Sequence, residues 1–222
     1  MKKIIIILTI VLLLFSCASA PKEQPFTVDL KAPSHEIGTI EAYVDRPVSV
    51  KSSIGKSEIG VSYYPEDDAV CLQFKAMYFI GCQQFWDRDG REAFIAAFER
   101  YKEDFEQRTL IKASKKKTRQ AYGEVNSYFA WKKSVISEQA HGSSKTKIGY
   151  HFKEKAAFFS VTQMETYYES YASRSRNQTS GVTSIYFTQA QAEALIALFN
   201  DEYLRKFGRR GGYSVPDVLD EY

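Results

Sequence analysis

The stretch Glu92-Ala93-Phe94-Ile95-Ala96-Ala97-Phe98 returns near the end of the chain as Glu193-Ala194-Leu195-Ile196-Ala197-Leu198-Phe199. Five of the seven positions are identical, and the other two exchange one apolar residue for another. In both copies the apolar residues recur at the spacing that places them on one face of a helix. The pattern therefore predicts two related amphipathic helices, one near the middle of the chain and one near its end.

Two weaker repeats precede these helices. Residues 37–44 match 122–129, with a glycine and a tyrosine at equivalent positions, and residues 59–63 match 148–152, with a shared Ile-Gly pair. Because three blocks recur in the same order, we interpret the chain as an internal duplication in which insertions fall in the loops.

The segments before each helix have the alternation typical of strands. In the first copy Val70, Leu72 and Phe74 fall on one face of such a strand. Asp87 is placed to cap the first helix, and residues 188–191 match a capping box for the second. The predicted fold class is α+β: a tandem duplication of a ββββα unit, with antiparallel sheets each covered by one helix and paired about a pseudo-twofold axis.

The same reading divides the chain into consecutive segments. They are a signal peptide at 1–16, a lipid anchor and tether at 17–35, unit one at 36–113, a basic linker at 114–121, unit two at 122–207 and a C-terminal tail at 208–222. The tether assignment depends on three prolines, which interrupt the segment, and on the absence of an apolar period.

This layout resembles the tandem ββββα repeat of the PUR-alpha family and, more distantly, Whirly-type domains. The resemblance covers the arrangement of residues 37–207 and transfers no individual motif residue. It implies a ββββα unit used in tandem that binds single-stranded nucleic acid. Since fold does not carry function with it, we keep nucleic-acid or polyanion binding as an alternative.

The N-terminus has the pattern of an export signal. Met1-Lys2-Lys3 is basic, and residues 4–15 are apolar except Thr9. The run is too short to cross a bilayer, which takes about 20 apolar residues as a helix. Leu14-Phe15-Ser16-Cys17 resembles the bacterial lipobox, although Phe15 is bulkier than usual at its position. An ordinary secretory signal cut after Ala18 or Ala20 is the alternative.

The lipobox resemblance implies cleavage before Cys17 and lipid on that cysteine, which anchors the chain in a membrane. Ala18 stands where Asp often marks inner-membrane retention. The expected location is therefore the cell envelope, with the outer membrane or cell surface preferred.

Charge argues against nucleic acid as the main partner. The signal holds two of the 30 basic residues and none of the 27 acidic ones, so the mature net charge is 28 − 27 = +1. A near-neutral domain lacks the electrostatic footprint of a nucleic-acid binder. Fifteen Phe and fifteen Tyr instead indicate a sheet-rich interior packed with aromatic rings.

Two cysteines remain after lipidation, Cys71 and Cys82. Outside the cytoplasm such a pair can oxidise to a disulfide, but a turn near Gly81 would not place the two opposite each other. Two buried free thiols and a disulfide therefore both remain open.

No catalytic or metal motif stands out. The three histidines are His35, His141 and His151, and no pair of them has the spacing of a metal-binding motif. We therefore expect no cofactor, no metal and no enzymatic activity. A third reading, an envelope enzyme, has no residue that can be named as nucleophile or base.

Two positive stretches are candidate contacts. The first, 115–119, contains Lys115, Lys116, Lys117 and Arg119, which would serve the polyanion alternative together with Arg174 and Arg176. The second interleaves tyrosine with arginine in the large insertion of unit two, and these residue types are enriched in protein interfaces. A solvated hairpin tip is the plain alternative. The predicted partner-binding residues are Tyr167, Tyr168, Tyr171, Arg174 and Arg176.

Together these observations predict a membrane-anchored, non-catalytic binding or scaffold module for a protein or ligand partner in the envelope. The alternative is an exported, PUR-like binder of nucleic acid or another polyanion, which steep salt dependence would reveal.

Overall fold

The computed structural model describes residues 25–46, 53–76, 79–111, 119–153, 156–168 and 179–208. Along the described residues, four strands precede the helix α1, and four more strands and two helices follow it. They are β1 His35–Arg46, β2 Ser53–Tyr64, β3 Ala69–Ala76, β4 Phe79–Trp86, α1 Arg88–Glu106, β5 Arg119–Lys132, β6 Ala140–Lys153, β7 Ala156–Gln163, β8 Thr183–Phe187, α2 Gln189–Leu198 and α3 Asp201–Gly208.

The eight strands form one closed antiparallel barrel, so the predicted α+β pair of ββββα half-domains is wrong. Two pairings decide this: β4 pairs with β5 from Gly81↔Lys132 to Phe85↔Tyr128, and β1 pairs with β8 at Tyr43↔Tyr186 and its neighbour. These ladders join the strands that two separate sheets would leave as edges. Closure satisfies the backbone groups that an open edge exposes, which is its physical advantage.

The barrel has two unlike ends. Since neighbouring strands are antiparallel, β1, β3, β5 and β7 all finish at one end, which we call the loop end. The even-numbered strands finish at the opposite end, from which the helices begin, and we call this the helix end.

The interior is lined by alternate residues of every strand. Toward the helix end it is filled by aromatic rings around Phe94 of α1, which is fully buried. The Phe94 ring centroid lies 5.2 Å from that of Trp86, 5.1 Å from that of Phe159 and 5.4 Å from that of Phe199. Helices α1 and α2 therefore close the helix end with apolar side chains.

The helix starts match their predicted caps. Asp87 accepts a hydrogen bond from the backbone N–H of Gly90, 2.8 Å away, and Thr188 and Gln191 form the capping box before α2. Each cap satisfies an amide that the first turn of a helix leaves without a partner. Both predictions are confirmed.

A buried cation ties α1 to the barrel. Nη1 and Nη2 of Arg91 donate to the backbone carbonyl and the carboxylate of Asp68, at 2.6 and 3.0 Å, and Asp201 of α3 lies 3.6 Å from Nη2. Asp68 lies in the β2–β3 turn with a φ of 45°, and both its backbone carbonyl and its carboxylate face the guanidinium. The ion pairs thus connect a turn and two helices at the helix end.

Residues 25–34 differ from the extended tether that their prolines suggest. Val28 is buried, and Phe26, Leu30 and Ala32 pack with it on Tyr64, Cys71, Phe85 and Tyr128, outward-facing residues of β2 to β5. This segment is part of the folded domain, because four apolar side chains spaced two apart give it one apolar face.

Candidate functional site

A groove of about 710 Å³ opens on the barrel wall beside the loop end. It lies over β2, β3 and β4, and the start of β6 borders it. Its lining residues are Ser57, Glu58, Gly60, Gln73, Phe74, Lys75, Ile80, Gly81, Cys82, Gln83, Lys132 and Gln139.

Amide side chains form much of its polar wall. The Gln139 Nε2 group donates to Oε1 of Gln83 across the β4–β6 side, and Gln73 donates to the Ser62 hydroxyl at 3.2 Å. An amide can both donate and accept, so these walls suit a ligand with both kinds of group. Lys75, Lys132 and Glu58 add charges of both signs to the lining.

Gly81 keeps the groove open. A Cβ atom built at this position meets nothing within 4 Å, although the next strand residue, Cys82, is buried. A side chain at position 81 would therefore occupy space within the groove rather than collide with the barrel.

Cys82 lies at the inner edge of the groove and is buried. Burial raises the pKa of its thiol to about 12, so the sulfur is protonated at neutral pH. Nucleophilic attack requires the thiolate, and Cys82 is poorly suited to it.

The second cysteine lies on the opposite face of the sheet. Cys71 packs under residues 25–34 on the outside, whereas Cys82 belongs to the barrel core, and both are free thiols. Burial also raises the pKa of the Cys71 thiol well above its ordinary value. In the register of β3 and β4, Cys71 faces Phe85 and Cys82 faces Phe74, so the structure does not bring the two sulfurs together.

Exposed apolar side chains gather at the loop end. Among the described residues, five of the seven large apolar side chains with high exposure are here. They are Ile80, Val135, Ile136, Tyr167 and Val182.

The predicted contact residues are only partly within the described chain. Tyr167 is exposed and pairs with Thr179 in an isolated bridge, whereas Tyr168 is half-buried, with its ring 5.9 Å from that of His141. The structure thus places both tyrosines at the loop end, and Tyr168 packs on His141, which is two residues after the groove residue Gln139.

The remaining sites of the sequence analysis lie outside the described residues. They are Cys17, Tyr171, Arg174, Arg176 and the lysines at 115–117.

The histidines have separate surroundings. The His35 ring lies 5.8 Å from that of Phe207, His141 hydrogen-bonds with the Tyr128 hydroxyl, and His151 lies 5.6 Å from the Tyr186 ring. Within the described part of the chain, no group of three or more His, Cys, Asp or Glu is arranged to hold a metal ion.

A polar network inside the barrel is the feature that the sequence analysis missed. Oε1 of Gln163 accepts from Gln84, Ser127 and Thr146 at 3.0 to 3.1 Å, and all four residues are buried. The Gln163 amide also donates to Thr166, at 3.2 Å. The alternation Cys82-x-Gln84-x-Trp86 is the signal that could have placed Gln84 on the inner face.

Comparison with known families gives one match. The family described as "Uncharacterised Treponema protein" matches residues 38–206, from β1 to α3. The chain belongs to this family. Because the match runs through both halves of the barrel, the family's shared unit contains all eight strands.

No curated protein and no solved structure matches the chain. The PUR-like and Whirly-like resemblance therefore receives no support from these comparisons. No helix among the described residues has the length and apolar character to span a membrane.

Proposed function

We propose that this chain is a lipid-anchored, non-catalytic binding module of the cell envelope, whose groove holds an extended segment of a protein partner. The observation that carries the proposal is the groove itself, with amides on its wall and Phe74 and Ile80 among its apolar lining. Its volume of about 710 Å³ is within the range of ligand-binding clefts.

An extended peptide suits this lining chemically. Its backbone offers donors and acceptors in alternation, which the Gln73, Gln83 and Gln139 amides can match. The apolar residues would contact side chains of the peptide, and Lys75 and Glu58 would favour peptide charges of opposite sign to their own.

Tyr167 supports a partner contact that continues beyond the groove. It is exposed at the same end, and tyrosine provides a large contact area with little conformational freedom to lose. This extends the contact predicted at residues 167–180.

The lipid anchor is the second part of the proposal and depends on the lipobox at Leu14-Phe15-Ser16-Cys17. Two or more acyl chains on Cys17 would hold the barrel at the membrane surface, since each buried methylene contributes about 0.8 kcal/mol. The favoured location is the outer membrane or cell surface.

The test is to block the groove without disturbing the barrel. Gly81→Trp places a large side chain in the groove, and Gly123→Trp is the matched control, because a Cβ at position 123 also meets nothing within 4 Å and lies outside the groove. Both full-length chains are expressed in the native host, and proteins crosslinked to each in intact envelope are identified.

A partner crosslinked to the wild-type chain and to Gly123→Trp, but absent from Gly81→Trp, supports the proposal. A partner retained equally by both variants removes the groove as its site. Binding of an anionic polymer that weakens steeply with salt would favour the polyanion alternative instead.

A further inference from the structure

The β5–β6 hairpin carries its most apolar residues at its tip. Val135 and Ile136 are 80% and 96% exposed in the turn that follows Lys132 and Lys133. Two adjacent aliphatic side chains without any protein cover are costly in water, and loops normally place polar residues there. The barrel does not bury these two side chains, so a contact with another surface would explain their presence.

Neighbouring loops enlarge this apolar tip. Ile80 begins β4 beside the hairpin, and Tyr167 and Val182 are exposed in the connection between β7 and β8. All five side chains lie at the loop end, and Val135 and Ile136, at the hairpin tip, are the most exposed of them.

Cations lie immediately behind the tip. Lys132 and Lys133 precede the apolar pair, while Glu138 and Glu165 are the acidic residues in the described parts of the loops around the tip. A lysine stem can extend along apolar surface toward a charged boundary, which is how lysines flank membrane-inserted segments.

The start of the folded chain is within reach of the same plane. The Phe26 carbonyl accepts from the Ser143 hydroxyl at 3.2 Å, and Ser143 is in the part of β6 nearest the loop end. The eight residues 17–24 can extend by roughly 26 to 29 Å, whereas Ser143 lies only about 10 Å along its strand from the loop end. Cys17 can therefore enter a membrane that the hairpin tip also touches.

We propose that the loop end docks on the lipid surface that anchors the chain, with Val135 and Ile136 inserted among the headgroups and Lys132 and Lys133 against anionic phosphates. The inference rests on the lipid anchor of the proposed function and adds a second, protein-based membrane contact. It orients the helix end away from the bilayer and holds the groove close to the membrane surface.

The experiment uses the mature full-length chain, with lipid on Cys17 verified by mass, in vesicles of phosphatidylcholine and phosphatidylglycerol. Ile136→Cys carries an environment-sensitive dye, and Glu99→Cys, exposed on α1, is the matched control. Cys71 and Cys82 are buried and do not compete for the label. The dye at 136 should shift its emission to shorter wavelength and be quenched by lipids with a quencher on the acyl chain, whereas the dye at 99 should respond to neither.

Charge variants test the headgroup contact. Lys132→Gln and Lys133→Gln should each lower the ratio of docked to undocked chain about fivefold on anionic vesicles, and have no such effect on pure phosphatidylcholine. Because a dye can itself enter a bilayer, amide hydrogen exchange of residues 133–139 is measured in the unlabelled chain, and it should slow on anionic vesicles.

Failure of docking and failure of anchoring are distinguishable. If the chain is lipidated but the dye at position 136 shows the same emission and quenching as the dye at position 99, the docking inference is wrong. The lipid anchor is then unaffected. A chain without lipid at Cys17 refutes the anchor, and its dye on the same vesicles then decides docking alone. Shielding of position 136 only when envelope proteins are present would assign the tip to a protein and overturn the inference.

Discussion

The two ends of the barrel treat apolar side chains in opposite ways. At the helix end, Trp86 and Phe159 of the barrel are both buried against Phe94 of α1. At the loop end, Val135 and Ile136 are exposed, and the interior nearby combines buried rings, among them Phe129 and Trp131, with hydrogen-bonded glutamines. The difference indicates that the helix end provides stability and that the loop end provides contact.

The interior network explains how a polar region can be tolerated inside the barrel. Each buried amide or hydroxyl of Gln84, Ser127, Thr146 and Gln163 has a partner, so the desolvation cost of burying it is offset. A fully apolar filling would pack more adaptably, whereas a satisfied polar network holds β4 to β7 in one register.

The largest effect should come from the aromatic centre of the helix end. Phe94→Ala removes a ring that touches Trp86, Phe159 and Phe199, and we expect it to lower the free energy of unfolding by about 3 to 5 kcal/mol. Urea unfolding measures the change. Phe105→Ala on the exposed part of the same helix is the control, with a much smaller expected loss. Equal losses would contradict the assignment of the helix end's stability to the buried rings around Phe94.

Breaking the polar network should lower the free energy of unfolding by less than Phe94→Ala does. Gln163→Met keeps the side chain's length but removes the acceptor that Gln84, Ser127 and Thr146 share, leaving buried donors without it. We expect a loss of about 1 to 3 kcal/mol in the same unfolding measurement. A stability gain would show that the network is dispensable and that the loop-end interior prefers apolar filling.

Alkaline pH should weaken both ends through groups that burial keeps neutral. Burial raises the pKa of Tyr101, at the helix end, from 10.0 to about 12 and that of Cys82 from 9.0 to about 12. Because the folded-state pKa lies above the unfolded one, the stability is fully present below pH 9 and is lost as pH rises toward 12.

Each such group contributes a slope of about 1.4 kcal/mol per pH unit within its own window. Cys82→Ala should lower the slope between pH 9 and 10, where the buried Cys71 thiol still contributes and Tyr101 does not yet do so. Tyr101→Phe should lower the slope only above pH 10. Stability curves measured at several pH values separate them. An unchanged slope between pH 9 and 10 in Cys82→Ala would count against the burial of that thiol.

The smallest effect on folding should come from the hairpin tip. Ile136→Ser removes an aliphatic side chain that contacts nothing in the barrel, so the free energy of unfolding should change by less than about 0.5 kcal/mol. Thermal unfolding of the variant beside the wild-type chain measures it. A large loss would mean that the tip packs within the folded domain and is not a contact surface.

Local features were predictable from the sequence because their physics is local. The Asp87 cap and the capping box at Thr188 depend on side chains that bond amides two or three residues away. The inward alternation of Val70, Leu72 and Phe74 depends only on the two-residue period of a strand.

The groove and the apolar end could not be predicted in the same way. No sequence pattern links Gly81 to Lys132 or Gln139. They share a groove because β4 pairs with β5 and because the β5–β6 hairpin brings Gln139 to Gln83. The predicted contact at Tyr167 and Tyr168 was placed by composition, and the structure separates the exposed ring from the half-buried one.

By itself, the sequence indicated four strands before each of two helices, and it placed the starts of α1 and α2. The export signal that ends before Cys17 stays a prediction. Only the tertiary structure decided that eight strands make one barrel, since closure depends on the registers of β4 with β5 and of β1 with β8. Hydrogen bonds within a helix or a turn link neighbours along the chain, and a sequence pattern therefore shows them. A ladder between distant strands depends on how all the apolar faces can be buried together, and that is settled by the whole chain at once.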